Sequence, residues 1–568
     1  MVMTNSLKTL RQSAAELLAL AMCSLFPKAQ LFQGEATDVG FYYDFFLPEA
    51  ITHEQFLYIE ERMRDFMRQS LSFKPMEMMR KNAIELFKHQ GQSLKVILLK
   101  ACAETLVHVC QVGEFYDWVA PPFVETTKQV GVFKLLEISS FKVSLAGRPN
   151  LSLTRIQGAV FPESYSLKQF LKKREIAKQC DHRQLGKQMN LFTILDETCP
   201  GCWTWYPKGV LLREILLNWL KAEYRQQGCQ WITTPALLKQ PFADSTEPLA
   251  LRFESEGAAY ALCATKASLH ASLYKSKPHS YQELPLSYAE YAEFYNQGKE
   301  IHQWGMLRSR SFYADQSHIF CSAEQLLDVL ISSLQFINKT IKIMGFEIQW
   351  HLIAKSTKYK KAPKKWEESQ TNLVRALDVS GFKYVIDKEP QDYYGPAIEA
   401  RFTDILGRDW KSSCIYIDLY HPDKMGLSYP GQDDKMHVPV MVGQAVLGSI
   451  ERLTAILLEH YAGNLPLWLA PEQIRVIPEM NKNLDYALQV FEEIRRAGFR
   501  VSMDDSTHSA ALKIQAAHQE KIPYLVRIGD KEEENRTVIF KKYQQESVQE
   551  EVLNKFLEQL KLENELKA

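Results

Sequence analysis

The sequence predicts an α+β chain of three modules, and three observations predict it. Across 568 residues the hydrophobic share is 46% and the charged share 24%, ordinary values for folded domains that set aside disordered, collagen-like and coiled-coil classes. Segments with helical apolar spacing and short strand-like runs both occur along the chain. From residue 467 onward the two kinds alternate, the pattern of a small α/β domain. At roughly 100–200 residues per domain, the length accommodates about three or four domains.

Taken in order, Leu7, Leu10, Ala14, Leu17, Leu18 and Met22 recur at helical spacing over residues 6–26. An aromatic run, VGFYYDFFL at 39–47, reads as a strand. A helix follows over 54–69, with Phe56, Ile59, Met63 and Phe66 on one face. Residues 155–165 and a charged helix over 166–179 close the first module, with Lys172, Lys173, Arg174 and Lys178 as a solvated connecting face. The second module starts near Asp181 and carries a long helix over 210–227, strand-like runs at 231–234, 413–419 and 438–442, and a helix over 447–461. Six lysines around one proline at 355–365 read as a surface loop, with an RNA-phosphate patch as the sharper alternative. The third module reads strand (IRVIP), helix (483–497), strand (FRVSM), helix (509–518), two further strands (YLVRIG, TVIFKK) and a final charged helix. The expected domains are therefore 1–180, 181–466 and 467–568.

Charge restricts the partners. Sixty-eight basic residues balance 68 acidic ones, so there is no bulk basic field, and nucleic acid would have to bind a local patch. A tRNA-sized partner stays open on that count; DNA and membrane partners are not expected. The most apolar stretch near the N-terminus, 14–26, contains Glu16 and is too short to span a bilayer. Ten scattered cysteines fit a reducing, cytoplasmic setting. The close pair Cys199 and Cys202 brackets a Pro-Gly turn and lacks a second pair at zinc-finger distance.

Several strings then carry a resemblance. DHRQLGKQMNLF (181–192), WTWYPKG (203–209), LPLSYAEY (284–291), RSRSF (308–312), SHIFC (317–321), YYGPAIEA (393–400), PVMVGQAVLGSIERL (439–453) and LWLAPEQ (467–473) resemble, in order and spacing, the catalytic domain of the threonyl-tRNA synthetase family. LRQSAAELL (10–18) and GFYYDF (40–45) resemble its editing domain, and IPYLVRIGDKE (522–532) its anticodon-binding domain. The small ubiquitin-like domain of many members has no counterpart here. The resemblance implies a class II synthetase fold: an antiparallel sheet with flanking helices, an N-terminal editing-like α+β domain and a C-terminal α/β domain, usually in a homodimer. The implied reaction joins threonine to tRNA through ATP, with zinc holding the amino acid.

Residue by residue, the implied chemistry is thinned. The arginine that would face the α-phosphate, where transition-state charge builds, is Asn296, and the adenine-recognising glutamate falls at Gly298. Lys299 is nearby but lacks the planar bidentate fork of arginine. Arg308, Phe312 and Arg452 match nucleotide-contacting positions, which admits ATP with Mg²⁺. A zinc site with an open position needs three protein ligands, and those positions are Ala267, His318 and Gly443. Zinc is therefore expected to be absent, with His318 a buried core residue. Neither Cys263 nor His270 is expected to reach the vacated place.

Other amino-acid contacts also change. Ala314, Gln316, Ala397 and Tyr416 replace polar residues of the family, whereas Tyr394 is kept. The four editing positions read Gln12, Glu16, Val119 and Phe123, a set without general-base or metal chemistry. In the last module Glu532 matches an anticodon contact, while FKKYQQES (540–547) keeps only Lys541 and Lys542 for phosphates. The expected function is a degenerate synthetase-like protein with lost or strongly reduced threonine activation and no editing. The alternatives are an active threonine–tRNA ligase or an amino-acid ligase of altered specificity.

Overall fold

A computed structural model describes residues 5–37, 40–145, 148–195, 197, 199, 201–239, 249–263, 265–296, 301–354, 363–387, 391, 393–405, 407–543, 545 and 547–567. Gly298, Lys299 and residues 355–362 of the lysine run lie outside them, as does the Cys263 side chain. The chain divides into two compact units, Met1–Ile176 and Ala177–Ala568. Among the described residues, no helix is long and apolar enough to cross a membrane.

The first unit is organised on helix Asn5–Leu25, whose Ala14, Leu17, Leu18 and Met22 are fully buried. They pack on an antiparallel sheet of Gln30–Ala36, Phe41–Phe46, Arg148–Phe161 and Val132–Leu145, in that order. The expected aromatic strand is Phe41–Phe46, with Phe41, Tyr43 and Phe45 turned inward by the two-residue period of a strand. Its partner Gln30–Ala36 was not expected, because QLFQGEA carries too few apolar residues to stand out. A smaller sheet, Phe73–Met79, Leu106–Val112 and Phe115–Trp118, completes the unit with helices Phe56–Gln69, Arg80–His89 and Ser93–Ala101.

The second unit centres on an eight-stranded sheet. Its order is Gln230–Trp231, Leu286–Tyr295, Ser311–Cys321, Val440–Ala445, Asp409–Asp418, Ala397–Thr403, Gln349–Ile353 and Tyr384–Asp387. The six central strands are antiparallel to one another, and each outermost strand joins in parallel. Helices Pro207–Gln226, Leu326–Ile343, Pro363–Val379 and Ile450–His460 bury their apolar residues in the same core. Pro207 opens the long helix at its first turn, where a missing N–H costs nothing.

Two expected elements are shorter than the sequence suggested. The run at 231–234 gives only Gln230–Trp231, because Thr234 turns away to donate its N–H and hydroxyl to Glu290 at 2.8 and 2.5 Å. The helix expected from 447 starts at Ile450, where Ser449 Oγ accepts the Arg452 N–H at 3.2 Å as the cap.

The same unit ends in a five-stranded sheet, Val501–Met503, Ile474–Pro478, Tyr524–Ile528, Thr537–Lys542 and Gln549–Val552. Helices Leu484–Arg496, Ala510–Gln519 and Leu553–Leu566 accompany it. A charge quartet joins this sheet to the long helix of the core. Lys208 Nζ lies 2.6 Å from both Glu472 and Glu520, and Arg475 meets the same two carboxylates at 2.8 and 3.1 Å. Burial alone would raise Glu472, but the Arg475 bonds and the Lys208 charge hold it below the ordinary carboxylate range.

Candidate active site

The hairpin Leu286–Tyr295 and Ser311–Cys321 sets the frame, pairing Phe294 with Phe312 and Tyr288 with His318. Asn296 follows the first strand directly. Its backbone N–H donates to Arg310 O at 2.7 Å and its carboxamide to Ser309 O at 3.1 Å. The side chain at the expected arginine position is thus a neutral crossbar of the hairpin. Phe312 stacks on Phe294 with centroids 5.8 Å apart. Arg308 is exposed. Arg452 donates Nε–H to Leu307 O at 3.0 Å, and burial, then the Arg308 charge nearby, lowers its pKa.

A cavity of about 250 Å³ opens beside Arg452, lined also by Trp410, Ser412, Cys414, Gly448 and Ser449. Of the three expected nucleotide contacts, Arg452 lines this cavity, whereas Arg308 and Phe312 do not.

Two carboxylates support this end, and sequence reading had singled out neither. Asp315 is fully buried and accepts from Tyr224 Oη, Val446 N, Leu447 N and Gly448 N at 2.7, 2.6, 2.9 and 2.8 Å. Glu451, the neighbour of Arg452, accepts the Tyr313 N–H at 2.9 Å, with the charge of Arg213 nearby. Burial pushes Glu451 up to about 7 against that hydrogen bond.

The native state therefore keeps a proton on Glu451 that the unfolded chain releases near pH 4.3. Unfolding free energy should fall as pH rises between those values, by up to about 1.4 kcal/mol per pH unit. Glu451→Gln is expected to remove that slope from urea midpoints measured between pH 5 and 7.

At the other end, His318 pairs across the sheet with Gly443, and Gly443 pairs with Tyr416. His318 Nδ1 lies 2.9 Å from His270 Nδ1, and Nε2 lies 3.0 Å from Tyr416 Oη. His270 Nε2 continues to Glu290 Oε1 at 3.0 Å. Burial, then the proximity of His270 and His421, lowers His318 well below the usual imidazole range, so it is neutral. Burial raises Glu290, yet its bonds from His270 and Thr234 hold it low.

His270 lies against the Nδ1 side of His318, away from Nε2. Three residues past Ala267 on helix Ala267–Lys275, it shares a helix face with that position, and its ring reaches His318. Ala267 is buried and has no donor atom, Gly443 has no side chain, and both His318 nitrogens are engaged. These residues do not fit a zinc ion.

Gln316 Oε1 accepts the Lys266 N–H at 2.8 Å, fixing the start of that helix. Tyr394 stacks on Tyr420 at 4.9 Å and meets His421 edge-on. His421 is tied in turn to Asp418 at 2.6 Å. Among the described residues, Asp181, His182 and Glu459 alone form a group with metal-ligand spacing. They serve as a strut: His182 Nδ1 bonds Glu459 at 2.6 Å, and Nε2 accepts the Met306 N–H at 3.1 Å. Gly305 (φ +60) lies so close that a Cβ there would sit 2.3 Å from His182 Nε2.

Comparison with known proteins decides the family. Residues 251–461 match the tRNA synthetase class II core domain (G, H, P, S and T), and residues 473–562 match an anticodon binding domain. The threonine–tRNA ligase of Aquifex aeolicus (strain VF5) is 34% identical over 572 residues, covering 98% of this chain and 89% of the relative. The enzyme of Lawsonia intracellularis (strain PHE/MN1-00) is also 34% identical, over 94% and 84%. The chain belongs to the threonyl-tRNA synthetase family.

Solved structures agree with the family's fold. The RNA binding domain of the Cryptosporidium parvum threonyl-tRNA synthetase superposes with TM-score 0.64 at 27% identity, covering 67% of this chain and 98% of that one. A prolyl-tRNA synthetase of Cryptosporidium parvum gives TM-score 0.54 at 14% identity, over 68% and 77%.

The family's editing positions lie in the first unit. Gln12 is buried and bonded to the edge strand, its oxygen accepting the Ala36 N–H at 3.1 Å. Glu16 is fully buried, and burial, then the charge of Asp117, raises it well above the carboxylate range. Asp117 itself is paired with Lys95 at 2.5 Å and accepts the Tyr43 hydroxyl. Val119 and Phe123 pack against the apolar core. These four positions thus combine two buried polar side chains with two apolar ones.

In the anticodon-binding domain, Glu532 is buried and turns back to accept the Gly529 N–H at 2.8 Å, capping helix Asp530–Asn535. Lys542 pairs with Glu563 at 3.0 Å.

Proposed function

We propose that this chain is a threonyl-tRNA synthetase-like protein in which threonine activation is lost or strongly reduced and editing is absent. One observation carries the reading: at the metal positions only His318 offers a donor, and its nitrogens are committed to His270 and Tyr416. The neutral Asn296 supports it, because an uncharged carboxamide tied to Ser309 O does not neutralise an α-phosphate. On this reading zinc is absent, and ATP with Mg²⁺ enters the cavity beside Arg452. The anticodon-binding domain takes tRNA, and the protein works as a cytoplasmic homodimer. The 34% identity to the Aquifex aeolicus threonine–tRNA ligase over 98% of the chain supports the second reading, a working threonine–tRNA ligase.

Threonine-driven ATP–pyrophosphate exchange by the full chain decides between them. The expected rate is at least on the order of 10²–10³-fold below that of the Aquifex aeolicus relative assayed alongside, the usual scale for losing a preorganised transition-state donor. Exchange within tenfold of that relative would overturn the proposal.

A further inference from the structure

We infer that Tyr416 determines what the amino-acid end of this site accepts: its ring fills the place of a side chain at 443, and its hydroxyl binds the one remaining imidazole, excluding a metal. This deepens the functional reading above and rests on it. Residues directly opposite on neighbouring strands share a face of the sheet, so His318, Gly443 and Tyr416 form a row. A Cβ on Gly443 would lie 2.1 Å from Tyr416 Cζ and 2.5 Å from its hydroxyl oxygen. A side chain at 443 and the aromatic ring at 416 are therefore mutually exclusive in this arrangement.

The contacts form one buried line. Glu290 collects the Thr234 N–H, the Thr234 hydroxyl and His270 Nε2. His270 Nδ1 lies 2.9 Å from His318 Nδ1, and His318 Nε2 lies 3.0 Å from Tyr416 Oη. Every ring nitrogen in the line has one partner. A zinc ion would need His318 Nε2, the atom Tyr416 holds, and the space its ring occupies. Tyr416 acts here as a specificity-determining residue, and His270 and Glu290 position it.

The test combines zinc loading with NMR on the full chain. Wild type, Ala267→Cys/Gly443→His, and the triple variant that adds Tyr416→Gln are incubated with Zn²⁺ and dialysed, and zinc is measured per chain. The expected result is substoichiometric zinc in the first two and about one zinc per chain in the third, where one Cys and two His ligands leave the fourth position to water. Stoichiometric zinc in the double variant overturns the inference, as does none in a triple variant that melts like wild type.

Histidine ¹⁵N spectra keep the claim open to refutation if the zinc variants do not fold. Tyr416→Phe, which keeps the ring and removes only the hydroxyl, should shift the His318 Nε2 signal from its wild-type position. An unmoved His318 Nε2 signal in Tyr416→Phe overturns it. Neither readout depends on turnover, so failure of this inference is told apart from failure of the functional reading, which threonine-driven exchange reports.

Discussion

Lys95→Met is expected to destabilise the first unit by about 3–5 kcal/mol, the usual cost of removing one partner from a buried ion pair. The Lys95 and Asp117 side chains are 2% and 0% exposed and lie 2.5 Å apart. Asp117 also accepts the Trp118 N–H at 2.7 Å and the Tyr43 hydroxyl, so its carboxylate is held in place when the cation leaves. Glu16 beside it is kept protonated by burial and by that same charge.

The pH dependence follows from Glu16. Its native pKa lies above the unfolded value, so the native state binds an extra proton once pH exceeds about 4.3. Stability of the unit then declines as pH rises toward the native pKa. Glu16→Gln should therefore stabilise the unit at pH 8 and change little at pH 4. Hydrogen exchange along helix Asn5–Leu25 in the full chain reads both effects. A Lys95→Met loss under about 1 kcal/mol, the range of exposed pairs, would show that the pair is not dry.

Asp315→Ala is the second large effect. It orphans four donors at once, the Tyr224 hydroxyl and the N–H groups of Val446, Leu447 and Gly448. Each buried orphan costs about 1–3 kcal/mol. On the proposed reading the loss also reaches ATP binding, because Leu447 and Gly448 line the cavity beside Arg452. Urea midpoints and ATP binding by calorimetry should fall together. Asp315→Asn should recover part of both, since its oxygen still accepts while its amide faces donors. An alanine variant with unchanged ATP affinity would dissociate the carboxylate from the cavity.

Much of this site was legible because its residues sit in local strings with their own geometry. RSRSF and GSIER place Arg308, Phe312 and Arg452 on elements whose order alone brings them together. Helix Asn5–Leu25 was legible from its apolar period. What was not legible depends on register between distant strands. Nothing local in the sequence says that Tyr416 lies opposite Gly443, or that His270 would turn to His318 rather than away. Glu532 shows the reverse limit. Its position matches an RNA contact, and the spacing Gly529 to Glu532 is also that of a helix cap, which engages one of its carboxylate oxygens. Asp315 and Glu451 were missed because an acidic residue beside a motif looks the same whether it faces water or backbone N–H groups.

The quartet Lys208, Glu472, Arg475 and Glu520 has a mechanical consequence. Its side chains are between 9% and 31% exposed, so dissolved ions weaken it less than they weaken surface pairs. Brine strong enough to strip loosely held polyanions from the molecule should leave the terminal five-stranded layer and the long core helix moving as one piece. The distance between the two is thereby a built-in length, like a gauge block.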